Sequence, residues 1–378
     1  MDIKQAQFSI LNQDSLAPFA GTDPDLVLVF ADIGLMRAPD FHQTLRHAFP
    51  RAILAGCSTA GEISAAGMSE GTLVLSALRF DKIAVRAAVV KIAAMEQSWQ
   101  GGADLGRQLS DPQLRAVLVF GKGVDINGSA LIAGLNHHLG DTVPISGGLA
   151  GDGGAFAATL TLCPDGVAAD AIVALGLYGE HVAVSHGSFG GWQPFGPPRK
   201  VSRAEGNVLY ALDDVPALDL YRDYLGEYAK DLPASGLLFP FEMLDAEQNS
   251  VGLIRTILGL DAQEGALILA GDIDPDGYLR LMHANNEGLI DGAEIAARRA
   301  RDGMTGDGDG LALLVSCVGR KLVMGDAVDE EVEEVSHVLG RHVPLTGFYS
   351  YGEIAPFSST TECKLHNQTM TVTFIVES

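Results

Sequence analysis

Basic residues are scarce in this chain: 25 Lys plus Arg stand against 48 Asp plus Glu, a formal net charge of −23 over 378 residues. A field of that sign repels polyphosphates unless one face is locally basic, so no nucleic-acid partner is expected. The basic clusters are small, Arg199, Lys200 and Arg203 in one stretch and Arg298, Arg299 and Arg301 in another, and both read as solvated faces. Cysteine is sparse as well. Cys57, Cys163, Cys317 and Cys363 form no CxxC pair, stand at no zinc-ligand spacing with histidine, and include no CxxCH haem-attachment motif. Neither a disulfide framework nor a zinc site is expected, and reduced thiols fit a cytosolic compartment. Long apolar runs are also missing. The longest, such as 27–30 and 172–177, are strand-sized and far short of the roughly 18 residues of a membrane span. The opening MDIKQAQFSILNQDS has no basic segment followed by an apolar one, so no signal peptide is expected and the reading is cytoplasmic, with no membrane partner.

What is present is a globular composition, 47% hydrophobic, long enough for two domains with cores of their own. The chain also repeats itself. Val-Leu-Val-Phe occurs at 27–30 and again at 117–120, each copy short, β-branched and apolar as a buried strand should be. The first copy is followed by a helical stretch at 40–49, a second strand, and the loop Gly-Cys-Ser-Thr-Ala-Gly-Glu-Ile at 56–63. The second is followed by a helix at 129–139, Val-Pro-Ile-Ser-Gly from 143, and Gly-Leu-Ala-Gly-Asp at 148–152. A third cycle runs from a strand at 311–317 through a helix at 330–339 to Gly-Phe-Tyr-Ser-Tyr-Gly-Glu-Ile at 347–354. Each unit ends in a further strand, at 72–80, 171–178 and 370–377. A parallel strand–helix–strand unit needs a crossover, which the helices supply. The expected class is therefore α/β, mixed sheets with crossover helices built from repeated strand–helix–strand units, in two domains. The first strands, at 26–33, 116–122 and 310–317, should be interior to their sheets.

A Gly- and Pro-rich stretch at 187–203 reads as the boundary between residues 1–186 and 204–378 and should lack regular structure. Trp192 and Phe195 argue against a free linker, so this stretch should be packed down.

Several motifs together resemble the FIST family: 56–63, the Trp192-Gln-Pro-Phe-Gly turn, the Gly206-Asn-Val-Leu-Tyr and Val215-Pro-Ala-Leu runs, Ser316-Cys-Val-Gly-Arg, 347–356 and His366-Asn-Gln-Thr. They cover both halves of the chain in family order. The resemblance implies an N-terminal and a C-terminal FIST module forming a sensory protein that binds a small ligand and signals to a partner, compatible with a homo-oligomer. One branch of the family binds haem and senses nitric oxide, acting on a histidine kinase or a cyclic-di-GMP enzyme. The leading expectation from it is a haem b nitric oxide sensor in a two-component system. The alternative is a sensor of another, amino-acid-like metabolite without haem.

Two sets of residues carry these expectations. The first is the three loops, with Gly56, Cys57, Gly61 and Glu62, Gly151 and Asp152, and Gly352 and Glu353. Each follows a strand, where α/β folds gather ligand loops. Glycine lets backbone approach a ligand, although turn and capping roles explain the same residues. The second set is a haem site. Strand alternation puts His186 on one apolar face with Val182 and Val184, beside Trp192 and Phe195, and makes His186 the candidate iron ligand. His283 shares a face with Leu279 and Leu281 and is the second candidate; a satisfied core histidine is the plainer reading of either. An enzyme is not expected. Cys57 next to Ser58 and near Glu62 is the nearest approach to a nucleophile, giving a hydrolase or transferase as the least favoured reading, with no histidine close in sequence. The Gly147–Gly154 loop leads into Phe156, Leu160 and Leu162 at even spacing rather than into a helix, which excludes a dinucleotide or P-loop fingerprint.

Overall fold

The repeated apolar strands lie where continuous burial puts them. In the structure, a computed structural model that describes residues 1–304, 310–356 and 362–378, Leu26–Ala31, Leu114–Gly121 and Gly310–Cys317 are interior strands of three six-stranded sheets. Each pairs in parallel with the strand reached through a crossover helix. Phe41–Ala48 leads to Ile53–Ser58, Gly128–Leu139 to Ile145–Leu149, and Val328–Leu339 to Leu345–Ser350. On the other side an antiparallel strand joins each: Leu73–Arg79, Ala171–Tyr178 and Met370–Glu377. Asp2–Phe8, Ala84–Lys91 and Val182–Phe189 border these in turn. The threefold repeat is structural, and the mixed α/β class is as expected.

Each unit also lends a hairpin to a neighbouring sheet. Glu62–Ser64 with Gly67–Ser69 extends the third sheet, Thr161–Cys163 with Gly166–Ala168 the first, and Gly352–Pro356 with Cys363–His366 the second. Early and late parts of the chain are thereby joined by backbone hydrogen bonds.

The inner faces of the three sheets share one core, in which Phe30 lies 5.3 Å from Phe120 and 4.7 Å from Phe348, ring centroid to centroid. The register shows how three aromatics fit. Phe30 sits opposite Cys57, Phe120 opposite Gly148, and Val315 opposite Phe348, so every unit supplies one ring and one smaller partner. One residue earlier, Gly56, Gly147 and Gly347 face Val29, Val119 and Leu314. A Cβ at these glycines would lie 1.8, 2.0 and 1.9 Å from the facing carbonyl oxygens. Gly347→Ala is therefore expected to cost about 1–3 kcal/mol through overpacking, read as a lower urea midpoint; an unchanged midpoint would contradict the close approach. Helices cover the outer faces, with Leu45 and Phe41 on the first sheet, Leu131 and Leu135 on the second, and Ala296, Ala300, Val332 and Val335 on the third.

Between the second and third units the chain builds a nine-stranded antiparallel sheet with its own core, including Leu209, Leu218, Tyr221, Phe241 and Leu281. The stretch 187–203, expected to lack regular structure, instead carries the end of Val182–Phe189, the short Gln193–Pro194 and the start of Arg199–Glu205. Its glycines serve close packing. A Cβ at Gly187 would sit 1.8 Å from the Ala296 oxygen, and one at Gly191 would sit 1.9 Å from that of Gly288, both on helix Asn286–Asp302. Trp192 is packed down at 8% exposure, whereas Phe195 is 43% exposed. No described helix is long and apolar enough to cross a membrane.

Candidate functional site

The three Gly-rich loops do converge, but on one another. Ala60 N donates to Tyr349 O at 2.8 Å, Tyr349 N to Gly61 O at 2.8 Å, and Gly151 N to Ser58 O at 2.9 Å. Their acids serve this junction. Glu62 accepts from the Thr59 hydroxyl and from the amide and hydroxyl of Thr72, at 3.1 and 2.8 Å. Glu353 repeats the arrangement, accepting from Ser350 at 2.9 Å and from the amide and hydroxyl of Thr369 at 3.1 and 3.0 Å. Burial pushes Glu62 up to about 7 and Glu353 up to about 8, against those hydrogen bonds. Asp152 is different. Burial acts to raise its pKa, but the amides of Ala158, Ala157 and Phe156 and the Tyr351 hydroxyl outweigh it and hold the carboxylate below its ordinary range. Gly61 and Gly56 adopt φ of 141° and 146°. A Cβ at Gly151 would meet the Ala60 nitrogen at 2.6 Å, and Gly352 pairs with Leu149. The loops form a buried lock. Cys57 is fully buried, and burial pushes its thiol well above the usual range, so it is not placed as a nucleophile.

The residues of the anticipated haem site are separated. His186 does share a face with Val182 and Val184, and that face packs into the core between the sheets. Its Nδ1 lies 3.0 Å from the Ser146 hydroxyl on the second sheet, while Nε2 is shielded from solvent without a hydrogen-bond partner among the described residues. Burial lowers its pKa to about 4 and keeps the ring neutral. An orphaned ring nitrogen could meet an iron only if space for a porphyrin adjoined it, and His186 does not line the cleft described below. His283 pairs with Gln193 at the strand Tyr278–His283, and its ring lies 5.8 Å from that of Phe195. Alternation turns it away from Met282, which does face the cleft. Trp192 lines the cleft, Phe195 does not. These residues do not fit haem.

The cleft, about 580 Å³, runs between Ser188–Trp192 on one side and Ser250, Val251, Gly252 and Ile254 of the strand Ser250–Arg255 on the other. The first wall is fixed by the Trp192 indole, which donates to Gln368 O at 2.8 Å, and by Arg320, whose guanidinium donates to Gly190 O. Met282, His366 and Thr369 also line it. His366 Nε2 lies 3.2 Å from Ala355 O, and burial, with Arg255 nearby, lowers its pKa to about 4. Two charged side chains reach the cleft. Glu242 has both oxygens engaged, one by Ser250 at 2.6 Å and one by Arg280 at 2.6 and 3.0 Å. Arg299 donates to Ser188 O at 2.7 Å and lies 4.9 Å over the Phe189 ring. Arg298, Arg299 and Arg301 are all exposed, as expected of a solvated face; the basic run gives no sign that Arg299 packs beside Phe189. His366 and Thr369 stand within the His-Asn-Gln-Thr motif, a signal that marked the segment but not its role. Nothing in the sequence pointed to Glu242 or 250–254.

Comparison with known proteins matches both parts of this architecture. Residues 25–215 match the FIST N domain and residues 217–356 the FIST C domain. An uncharacterised protein of Mycobacterium bovis is 26% identical over 193 residues, covering 50% of this chain and 49% of that protein. One from Methanocaldococcus jannaschii is 26% identical over 209 residues, covering 51% and 39%. The chain thus aligns with about half the length of the first of these curated relatives or less of the second. Among solved structures, cyanuric acid hydrolase from A. caulinodans covers 99% of this chain and 98% of its own at 9% identity, with a TM-score of 0.33. Two matched domains over most of the sequence identify the chain as a member of the FIST family, whose domains are sensory signal-transduction modules that bind small ligands.

Proposed function

We propose that this protein is a non-catalytic sensor whose small, non-haem ligand occupies the 580 Å³ cleft, and that a signalling partner, a histidine kinase or a cyclic-di-GMP enzyme, reads its occupancy. The observation that carries the reading is where the walls come from. One belongs to the segment leaving the second unit, within the FIST N match, and the other to the inserted sheet, within the FIST C match. A ligand touching both favours one relative placement of the two, which is the differential contact a population shift requires.

A thermal-shift screen of metabolites tests this. A ligand at a hundred times its Kd should add about 2.7 kcal/mol of stability, and Val251→Trp, which adds bulk where Val251 lines the cleft beside the core of the inserted sheet, should abolish the shift. A compound that stabilises Val251→Trp as well as the wild type would place the site elsewhere. Protein expressed with haem supplied is expected to show no Soret band that depends on His186; such a band, lost in His186→Ala, would restore the haem reading.

A further inference from the structure

One wall of the cleft is a sheet edge, and the other starts at the end of an edge strand and continues past it. Val182–Phe189 ends the strand order of the third six-stranded sheet, and Ser250–Arg255 ends that of the nine-stranded sheet. The lining is consecutive, from Ser188 to Trp192 on one wall and from Ser250 to Gly252 on the other. Ser250, Val251 and Gly252 are all strand residues, and a strand showing the cleft only a face would contribute every second residue, so on that side the cleft lies along the edge itself. An edge presents main-chain N–H and C=O groups outside its ladder, and these are the groups that recognise extended backbone; here the Gly252 amide is held by the Ser250 hydroxyl at 3.1 Å, and the Ser188 and Gly190 carbonyls by Arg299 and Arg320. The register between Phe241–Leu244 and Ser250–Arg255 slips between Glu242 and Leu244, and Gly252 adopts φ 72°. That bulge bends the edge where the cleft lies and discourages pairing with a long flat strand. It leaves room for a short segment.

The charges narrow the class. Glu242 is neutralised by Arg280, whereas Arg299 makes no ion pair with a carboxylate among the described residues; it is held by Ser188 O and the Phe189 ring. In a chain of net charge −23, a positioned guanidinium without an acidic partner suits an incoming carboxylate. Trp192, Ile254 and Met282 supply apolar contact between these polar features.

We infer that the ligand is a short peptide in extended form, its main chain along the Ser250–Gly252 edge and its free C-terminal carboxylate on Arg299. The inference rests on the cleft being the sensory site and specifies what the site holds. The intact protein is incubated with a pooled tetrapeptide library bearing free carboxylates, separated by gel filtration, and the retained peptides are identified by mass spectrometry. Calorimetry then compares a retained peptide with its C-terminal amide and with a backbone N-methylated form. The acid should bind about tenfold or more tightly than the amide, as loss of a charge-assisted bond implies, and N-methylation should weaken binding. Arg299→Gln, an exposed substitution, should bind acid and amide alike. Retention of no peptide, or equal affinity of acid and amide for the wild type, would overturn the inference. If a metabolite binds and Val251→Trp blocks it while no peptide is retained, the peptide class falls and the cleft reading stands. If nothing that binds is sensitive to Val251→Trp, both fall.

Discussion

Arg320→Met is expected to lower the stability by about 3–5 kcal/mol, the cost of leaving a buried carboxylate without its cation. Arg320 and Glu331 are both fully buried and pair at 2.7 Å. Glu331 also accepts from Ser316 at 2.9 Å and from the Tyr349 hydroxyl. Arg320 uses its remaining donors on Gly190 O and on Leu289 O, the latter at 2.8 Å. One guanidinium thus ties the cleft wall, helix Asn286–Asp302 and helix Val328–Leu339 together. Removing it strands Glu331 and two carbonyls at once, whereas Arg320→Met with Glu331→Leu removes both charges and should be distinctly milder. Urea unfolding followed by circular dichroism decides. A loss below about 1 kcal/mol for the single variant would mean that water replaces the guanidinium and that the network does not hold the cleft wall in place.

The threefold repeat was legible because its strands are continuous apolar runs, and a strand buried on both faces has no alternative reading of comparable length. The lent hairpins were not, because Glu62–Ser64 and Thr161–Cys163 are three residues each and their partners lie in other units. Nor was the inserted sheet, for a related reason: strands such as Gln193–Pro194 and Val215–Pro216 are short and contain proline. At the site, alternation correctly grouped His186 with Val182 and Val184. Parity states which residues share a face, not what that face meets, and here it meets the core and Ser146 rather than a cavity. The acids ending the loops were visible by position, but their partners Thr72 and Thr369 are 10 and 16 residues away and were not. Arg299 illustrates the same limit. Its role depends on Phe189 and Ser188, which only the tertiary fold brings beside it.

Those buried acids make the stability fall as the solution turns alkaline, and Glu353→Gln should remove much of that fall. Glu62 and Glu353 are raised from 4.5 to about 7 and about 8, so the native state keeps protons that the unfolded chain has released. Asp32 opposes ionisation of Glu62, while Arg320 favours that of Glu353 without overcoming its burial. Their contribution is complete below pH 4.5 and is lost as pH rises through about 7 and about 8. His186 and His366 act in the opposite sense: lowered from 6.5 to about 4, they contribute fully above pH 6.5 and lose it as pH falls toward 4. Between pH 4.5 and 6.5 two acids and two histidines offset one another, and the profile should be nearly flat. Above pH 6.5 the acids outweigh what remains of the histidine titration in the unfolded chain, and the wild type should lose about 2 kcal/mol by pH 8. Glutamine can present its carbonyl oxygen to the amide and hydroxyl of Thr369 and its NH₂ to Ser350, the pattern of a protonated acid. Relative to the wild type, Glu353→Gln should therefore gain about 2 kcal/mol between pH 6.5 and 8, measured from urea midpoints at each pH. If the two proteins lose stability in parallel over that interval, Glu353 is ionised in the native state throughout it, and the hydrogen bonds from Ser350 and Thr369 outweigh its burial.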